Sequence, residues 1–219
     1  SSRSSCRRME SLQPADIRAI VGRIAAIMTE KKEELIHLDG AMGDGDLGLT
    51  MEKGFTTAAE EAQKAEEPDA GKLLMKIGMT IARVAPSTMG TLVGSGFMSG
   101  GKAVMGKTAL GGADLAAFLD AFTAGIMARG KSKPGEKTIV DVLLPASRAF
   151  SEAVAAGAPL SQAALKLKEG ASAGREAARD MIAQHGRLAY YQEKSRGQDD
   201  PGCVATTYIL QGFVDHIRG

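Results

Sequence analysis

No stretch of this 219-residue chain alternates apolar and polar residues for more than a few positions, so half-buried strands are not its main element. The period that recurs is helical. After Pro14, a residue suited to a first helical turn, Ile17, Ile20, Val21, Ile24, Ile27 and Met28 fall on one face. There is no Trp and only 4% of residues are aromatic, while Gly numbers 27 and Met 11. Ala, Gly, Met and Leu dominate, a composition that favours closely packed helices over a sheet. The length suits one domain with a substantial core, or at most two small ones.

Read in order, the chain predicts about eight helices joined by short loops. The first runs from Pro14 to about His37, the second from Leu47 to about Glu66. Asp69 caps a third, ending near Val84, and Pro86 and Ser87 start a fourth. A fifth spans about Asp114 to Arg129 with Gly130 as its C-terminal cap. A sixth begins near Thr138, is expected to kink at Pro145 and ends by Gly157. A seventh covers about Leu160 to His185. Residues 186–200 read as a polar loop, after which Asp200 and Pro201 open a last helix to about Ile217. Residues 1–12 are expected to be a tail, disordered or foreign to the protein, and residues 13–219 a single helical unit.

Several function classes drop out. A formal net charge of +1 gives no nucleic-acid footprint. Cys6 and Cys203 make neither a metal motif nor a disulfide framework, which fits a reducing, cytoplasmic setting. No run of 18 apolar residues exists, so no membrane span is expected. The polar start, SSRSSCRR, lacks the apolar core of a secretory signal. His37, His185 and His216 read as structural or surface residues, and no Ser-His-Asp or Cys-His arrangement competes for a catalytic role.

Three stretches look chemical. In LDGAMGDGDLGLT, residues 38–50, Asp39, Asp44 and Asp46 fall within eight residues among four glycines. Carboxylates held that close repel unless a cation lies between them, and such oxygen ligands suit Mg²⁺ or Ca²⁺. An exposed Asp/Gly turn explains the spacing equally well. In residues 85–106, Gly90, Gly94, Gly100 and Gly101 either let a helix pack tightly on a neighbour or open a backbone surface to a flat ligand such as a purine. In residues 186–202, Arg187, Lys194 and Arg196 precede a helix start whose N–H groups attract anions. An ordinary solvated loop accounts for these basic residues too.

Taken together, GDGDLG with Asp39 upstream, GEKTIVDVLLP at 135–145 and GRLAYY…KSRGQDDPG at 186–202 resemble the nucleotide-binding L subunit, or domain, of dihydroxyacetone kinases. The resemblance spans nearly the whole chain, in order and at similar spacing. It implies an all-α fold, a barrel of about eight antiparallel helices with the nucleotide at one end. It implies two Mg²⁺ ions held by Asp39, Asp44 and Asp46, the catalytic and metal-binding set, and bridging the phosphates of ADP or ATP. It places Leu47, Gly48, Leu49 and Thr50 beside the phosphates. Thr88, Met89, Gly130 and Ile139 then flank the nucleotide, and Arg187 with Asp200, Pro201 and Gly202 completes the pocket. The phosphoryl group goes to a small ketose or polyol held by a separate K subunit. In phosphotransferase-linked versions a third, M, subunit regenerates bound ADP, whereas others use free ATP. A homodimer is left open.

Two residues depart from the family pattern. His is common where Leu47 stands, and Ser where Met89 stands. Leu47 lacks a hydrogen-bonding group beside the phosphates, which leaves sugar and donor open and admits a four-carbon sugar or sugar alcohol. Two further readings stand beside the kinase subunit. One is a nucleotide-dependent regulatory protein that docks on another protein. The other is a helical bundle whose aspartate loop is only a turn.

Overall fold

The computed structural model describes residues 9–43 and 45–219. These form nine α-helices: α1 (Pro14–Glu30), α2 (Lys32–Met42), α3 (Leu47–Lys64), α4 (Ala70–Val84), α5 (Thr88–Ala103), α6 (Gly112–Gly130), α7 (Val140–Ala155), α8 (Leu160–Arg179) and α9 (Pro201–Arg218), with a 3-10 segment, Arg187–Ser195, before the last. The all-α expectation holds. Each of α3 to α9 packs on the helix before it in the series, and α9 returns to pack on α1, which in turn packs on α3. Eight helices thus form a closed ring, with α2 lying against α3 and α9. Neighbours run antiparallel. Gly78 meets Gly94 while Gly71 meets Gly101, and Gly96 meets Ile126 while Gly100 meets Phe118.

The ring closes on apolar side chains. Phe55, Met51, Leu73, Ile77, Ile81 and Phe150 are fully buried, and Phe97 meets Phe122 edge-on at 5.1 Å between centroids. A small apolar void of about 70 Å³ remains at the centre. The tight-packing reading of the Gly-rich stretch is the one the structure bears out between α4 and α5. A Cβ at Gly78 would stand 2.6 Å from the Gly94 carbonyl oxygen, and one at Gly94 2.8 Å from that of Gly78, so only glycine admits this approach.

Several boundaries differ from the sequence reading. The first predicted helix is two: Lys31 (φ −95°, ψ 4°) breaks it, and α2 resumes with Leu35 fully buried. Asp39 therefore sits on a helix, and only residues 43–46 lie between α2 and α3. Lys131 at φ 52°, not Gly130, is the left-handed cap of α6. Helix α8 stops at Arg179 because its last carbonyls are taken by a side chain from elsewhere, described below. The polar loop contains the 3-10 segment. Pro145 lies inside α7, and Gly174 of α8 lies against the Asp141 carbonyl that Pro145 cannot bond. Residues 9–12 are not all tail. Leu12 is 1% exposed and exchanges backbone hydrogen bonds of 2.8 Å with Leu110. Residues 1–8, with Cys6, lie outside the described residues.

Asp69 caps α4 as predicted, accepting from the Lys72 amide at 3.0 Å, and also accepts from the Gly106 amide at 2.8 Å. It thus fastens the start of α4 to the link after α5. Burial alone would raise its carboxyl, but these amides outweigh burial and hold it below the ordinary aspartate range. Its contribution is therefore complete above that range and fades as pH falls through it towards the lowered folded value. Asp69→Ala should cost about 1–2 kcal/mol. A lower urea midpoint with an unchanged slope is the expected result, and an unchanged midpoint would contradict this role.

Candidate functional site

Antiparallel alternation has a chemical consequence. It brings the N-terminal ends of α3, α5, α7 and α9 to one end of the ring, alternating with the C-terminal ends of α1, α4, α6 and α8 and beside that of α2. Helix N-termini carry unsatisfied N–H groups and the positive end of the macrodipole. Around the ring these starts alternate with helix ends of opposite polarity, so any pull on an anion is local to one first turn, and nearly every candidate residue lies at this end.

At the acidic loop, Asp39 projects from the end of α2 and accepts from the Leu47 amide at 3.1 Å, tying α2 to the first turn of α3. Its other oxygen lies where a side chain at position 43 would stand, so glycine there makes room for the carboxylate. Asp46 occupies the cap position of α3, but its carboxylate makes no capping bond and is exposed. Asp44 lies outside the described residues. Among the described residues no three carboxylate, thiol or imidazole groups form a metal-holding cluster. The donors present are carboxylate oxygens, the chemistry that suits Mg²⁺.

The residues after the loop divide. Leu47 is 8% exposed and belongs to the core. Gly48 is required for packing, because a Cβ there would collide with the backbone and Ile36 of α2. Leu49 is 53% exposed. Thr50 donates its hydroxyl to the Asp46 carbonyl at 3.0 Å.

Three other candidates converge from three helices. A Cβ at Gly202 would stand 3.3 Å from Ile139 Cγ2 and 3.7 Å from Met89 Sδ, so the starts of α5, α7 and α9 meet around apolar side chains. Thr88 is the exposed first residue of α5, whose cap is Ser87, accepting from the Gly90 amide at 3.0 Å. Gly130 ends α6 against Leu92 and Ser132. Asp200 caps α9, accepting from the Cys203 amide at 2.9 Å, and Pro201 is buried as its first residue. Burial pushes the Asp200 carboxyl up, against the pull of that amide and of Lys137. Arg187 is exposed at the start of the 3-10 segment, which packs against α2, the helix carrying Asp39.

Two residues were missed by sequence reasoning. Asp141, 7% exposed, accepts from the Gly135 amide at 2.7 Å and the Thr138 amide at 2.9 Å, shaping the turn into α7. Thr138 to Asp141 has the spacing of a capping box, a signal that could have found it. Lys137, 2% exposed at φ 62°, gave no local signal. Burial pushes its ammonium below the ordinary lysine range, against the pull of Asp200, Cys203, Asp199 and Asp180. One histidine reading also needs amending: His216 is partly buried and bonded to Asp16 at 2.8 Å, far from this end, whereas His185 is exposed, as expected, and pairs with Glu136.

The fold is a closed all-helical ring with an acidic loop at the end where the starts of α5, α7 and α9 meet. The chain belongs to the DAK2 domain family, whose profile matches residues 41–215. It is 28% identical over 189 residues to the ADP-binding subunit DhaL of the PEP-dependent dihydroxyacetone kinase of Escherichia coli, covering 86% of this chain and 90% of that one. It is 33% identical over 209 residues to the L-erythrulose 1-kinase of Mycolicibacterium smegmatis, covering 92% of this chain but only 35% of that enzyme. The crystal structure of the dihydroxyacetone kinase from C. freundii in complex with AMP-PNP and Mg²⁺ superposes with a TM-score of 0.70 at 22% identity, covering 98% of this chain and 36% of that one. These relatives are kinases or kinase subunits, which places the chain in a phosphotransferase family. The resemblance to the dihydroxyacetone kinase L subunit is thereby confirmed. Among the described residues no helix is long and apolar enough to cross a membrane.

Proposed function

We propose that residues 13–219 are the nucleotide-binding unit of a dihydroxyacetone-type kinase, holding Mg-bound ADP or ATP and serving phosphoryl transfer to a small ketose or polyol. The observation that carries this is that the starts of α5, α7 and α9 meet around Met89, Ile139 and Gly202 at the end that also bears the aspartate loop. Asp39 and Asp46, with Asp44, supply oxygen ligands for two Mg²⁺. Bound there, the ions neutralise phosphate charge during transfer. First-turn amides of α3, with Arg187, hold phosphate oxygens, and Met89, Ile139 and Gly202 give an apolar wall for the base or ribose.

The three histidines of the sequence form no recognisable set for capturing a carbonyl substrate, and the family resemblance assigns that task to a K-type partner that presents the sugar. The erythrulose-kinase relative supports a four-carbon ketose. Free ATP, rather than an M-type relay, is the donor that Leu47 favours. The setting is cytoplasmic.

Thermal unfolding should shift upward with ADP plus Mg²⁺ and not with ADP plus EDTA. This chain with ATP and sugar alone should show no turnover, and adding a K-type subunit should start it. Equal stabilisation with and without metal would refute the nucleotide site. Steady turnover by the isolated chain would refute the division of labour.

A further inference from the structure

Between α8 and α9 the chain leaves the ring over residues 180–197, an excursion carrying Arg187 and the exposed pair Tyr190 and Tyr191. Its two ends lie side by side, as in an Ω-loop. One side chain from outside the excursion joins them. The Lys137 ammonium donates to the carbonyls of Ala178 at 2.9 Å and Arg179 at 3.0 Å, where the chain departs, and of Gln198 at 2.6 Å, where it returns. A cation at a helix C-terminus is favourably placed. A buried ammonium needs such partners, and its three donors find three.

The surroundings reinforce this join. Gly197 donates its amide to Arg179 O, Arg175 bonds both oxygens of Asp199 at 3.2 Å, and the Gln184 amide donates to Glu136 O at 3.2 Å. Lys137 sits in the left-handed region, uncommon for a residue with a side chain. Two residues further on stands Ile139, and two residues after Gln198 stands Asp200.

We propose that Lys137 is a positioning residue whose buried ammonium clasps both ends of the 180–197 excursion, holding Arg187 and the Asp200-Pro201-Gly202 turn in the geometry that binds nucleotide phosphates. The inference rests on the nucleotide reading above. Lys137 touches no reacting atom. It sets where the loop and the α9 start stand relative to Ile139 and the α7 start.

The test compares Lys137→Met, which keeps the stem and loses the donors, with Lys137→Arg, which keeps a cation with donors. In the nucleotide-free chain, trypsin should cut at Arg187, Lys194 and Arg196 at least about 10-fold faster in Lys137→Met than in the native protein. Calorimetry should show Mg-ADP affinity about 10-fold weaker, with helical content unchanged. Lys137→Arg should recover slow cleavage and part of the affinity. If the stem alone mattered, Met would be benign and the bulkier Arg worse, and that pattern overturns the proposal. Should Lys137→Met fail to fold, hydrogen exchange on the native chain decides. The Ala183 and Gly197 amides should exchange as slowly as those of α8 and α9, and fast exchange there overturns the clasp. A native chain that does not bind Mg-ADP would refute the function proposed above, with cleavage and exchange still judging the clasp. Native binding matched within twofold by Lys137→Met would refute the positioning role alone.

Discussion

Asp39→Asn should weaken Mg-ADP binding by about 100-fold or more, a loss of about 3 kcal/mol, while leaving the helices in place. Asparagine keeps an oxygen to accept from the Leu47 amide, a bond of 3.1 Å in the native chain, so the α2–α3 junction has no reason to open. What disappears is the charge. A hard divalent ion held there would depend on that charge for its place, and without it phosphates would face the remaining aspartates unscreened. Asp44→Asn and Asp46→Asn should act in the same direction. Calorimetry in Mg²⁺ and in EDTA reads the effect directly. The carboxylate role is lost if Asp39→Asn binds within threefold of the native chain in Mg²⁺, or if the native affinity is the same in EDTA.

Much of this was legible because it depends on near neighbours in sequence. Asp69, Ser87 and Asp200 cap helices through bonds three residues ahead, and Pro201 follows its cap as the rule for first turns requires. What failed was decided at a distance. Helix α8 could have continued through Asp180 on propensity alone, but the Lys137 ammonium, 41 and 42 residues earlier, takes the carbonyls of Ala178 and Arg179. The break at Lys31 lets α2 turn its buried Leu35 inward while laying the helix against α3 and α9, a packing demand no local pattern announces. At Gly48 the family resemblance pointed to phosphate, whereas the geometry shows that the absent side chain is first needed by α2. The candidate residues were named from local motifs, but that the elements carrying them share one end of the ring follows from its closure and could not be read from any one segment.

Leu47→His should lengthen ADP residence at the expense of stability. The native Leu47 is 8% exposed and belongs to the core, and only its amide takes part in the site, through Asp39. Moving it out of the core removes up to about 1.5–3 kcal/mol of burial, so the urea midpoint should fall. A neutral imidazole at the first position of α3 can turn to the phosphates and donate a charge-assisted hydrogen bond worth about 1–3 kcal/mol. Release should then slow by roughly 5- to 150-fold. Stopped-flow displacement of ADP from both proteins in one buffer supplies the rates. Faster release from the native chain fits exchange of ADP for ATP in each turnover, and therefore free ATP as donor. If the native chain instead purifies with stoichiometric ADP that survives dialysis, and Leu47→His does not slow release, then the metal ions dominate affinity, Leu47 is purely a packing residue, and the case for ATP from this position is gone.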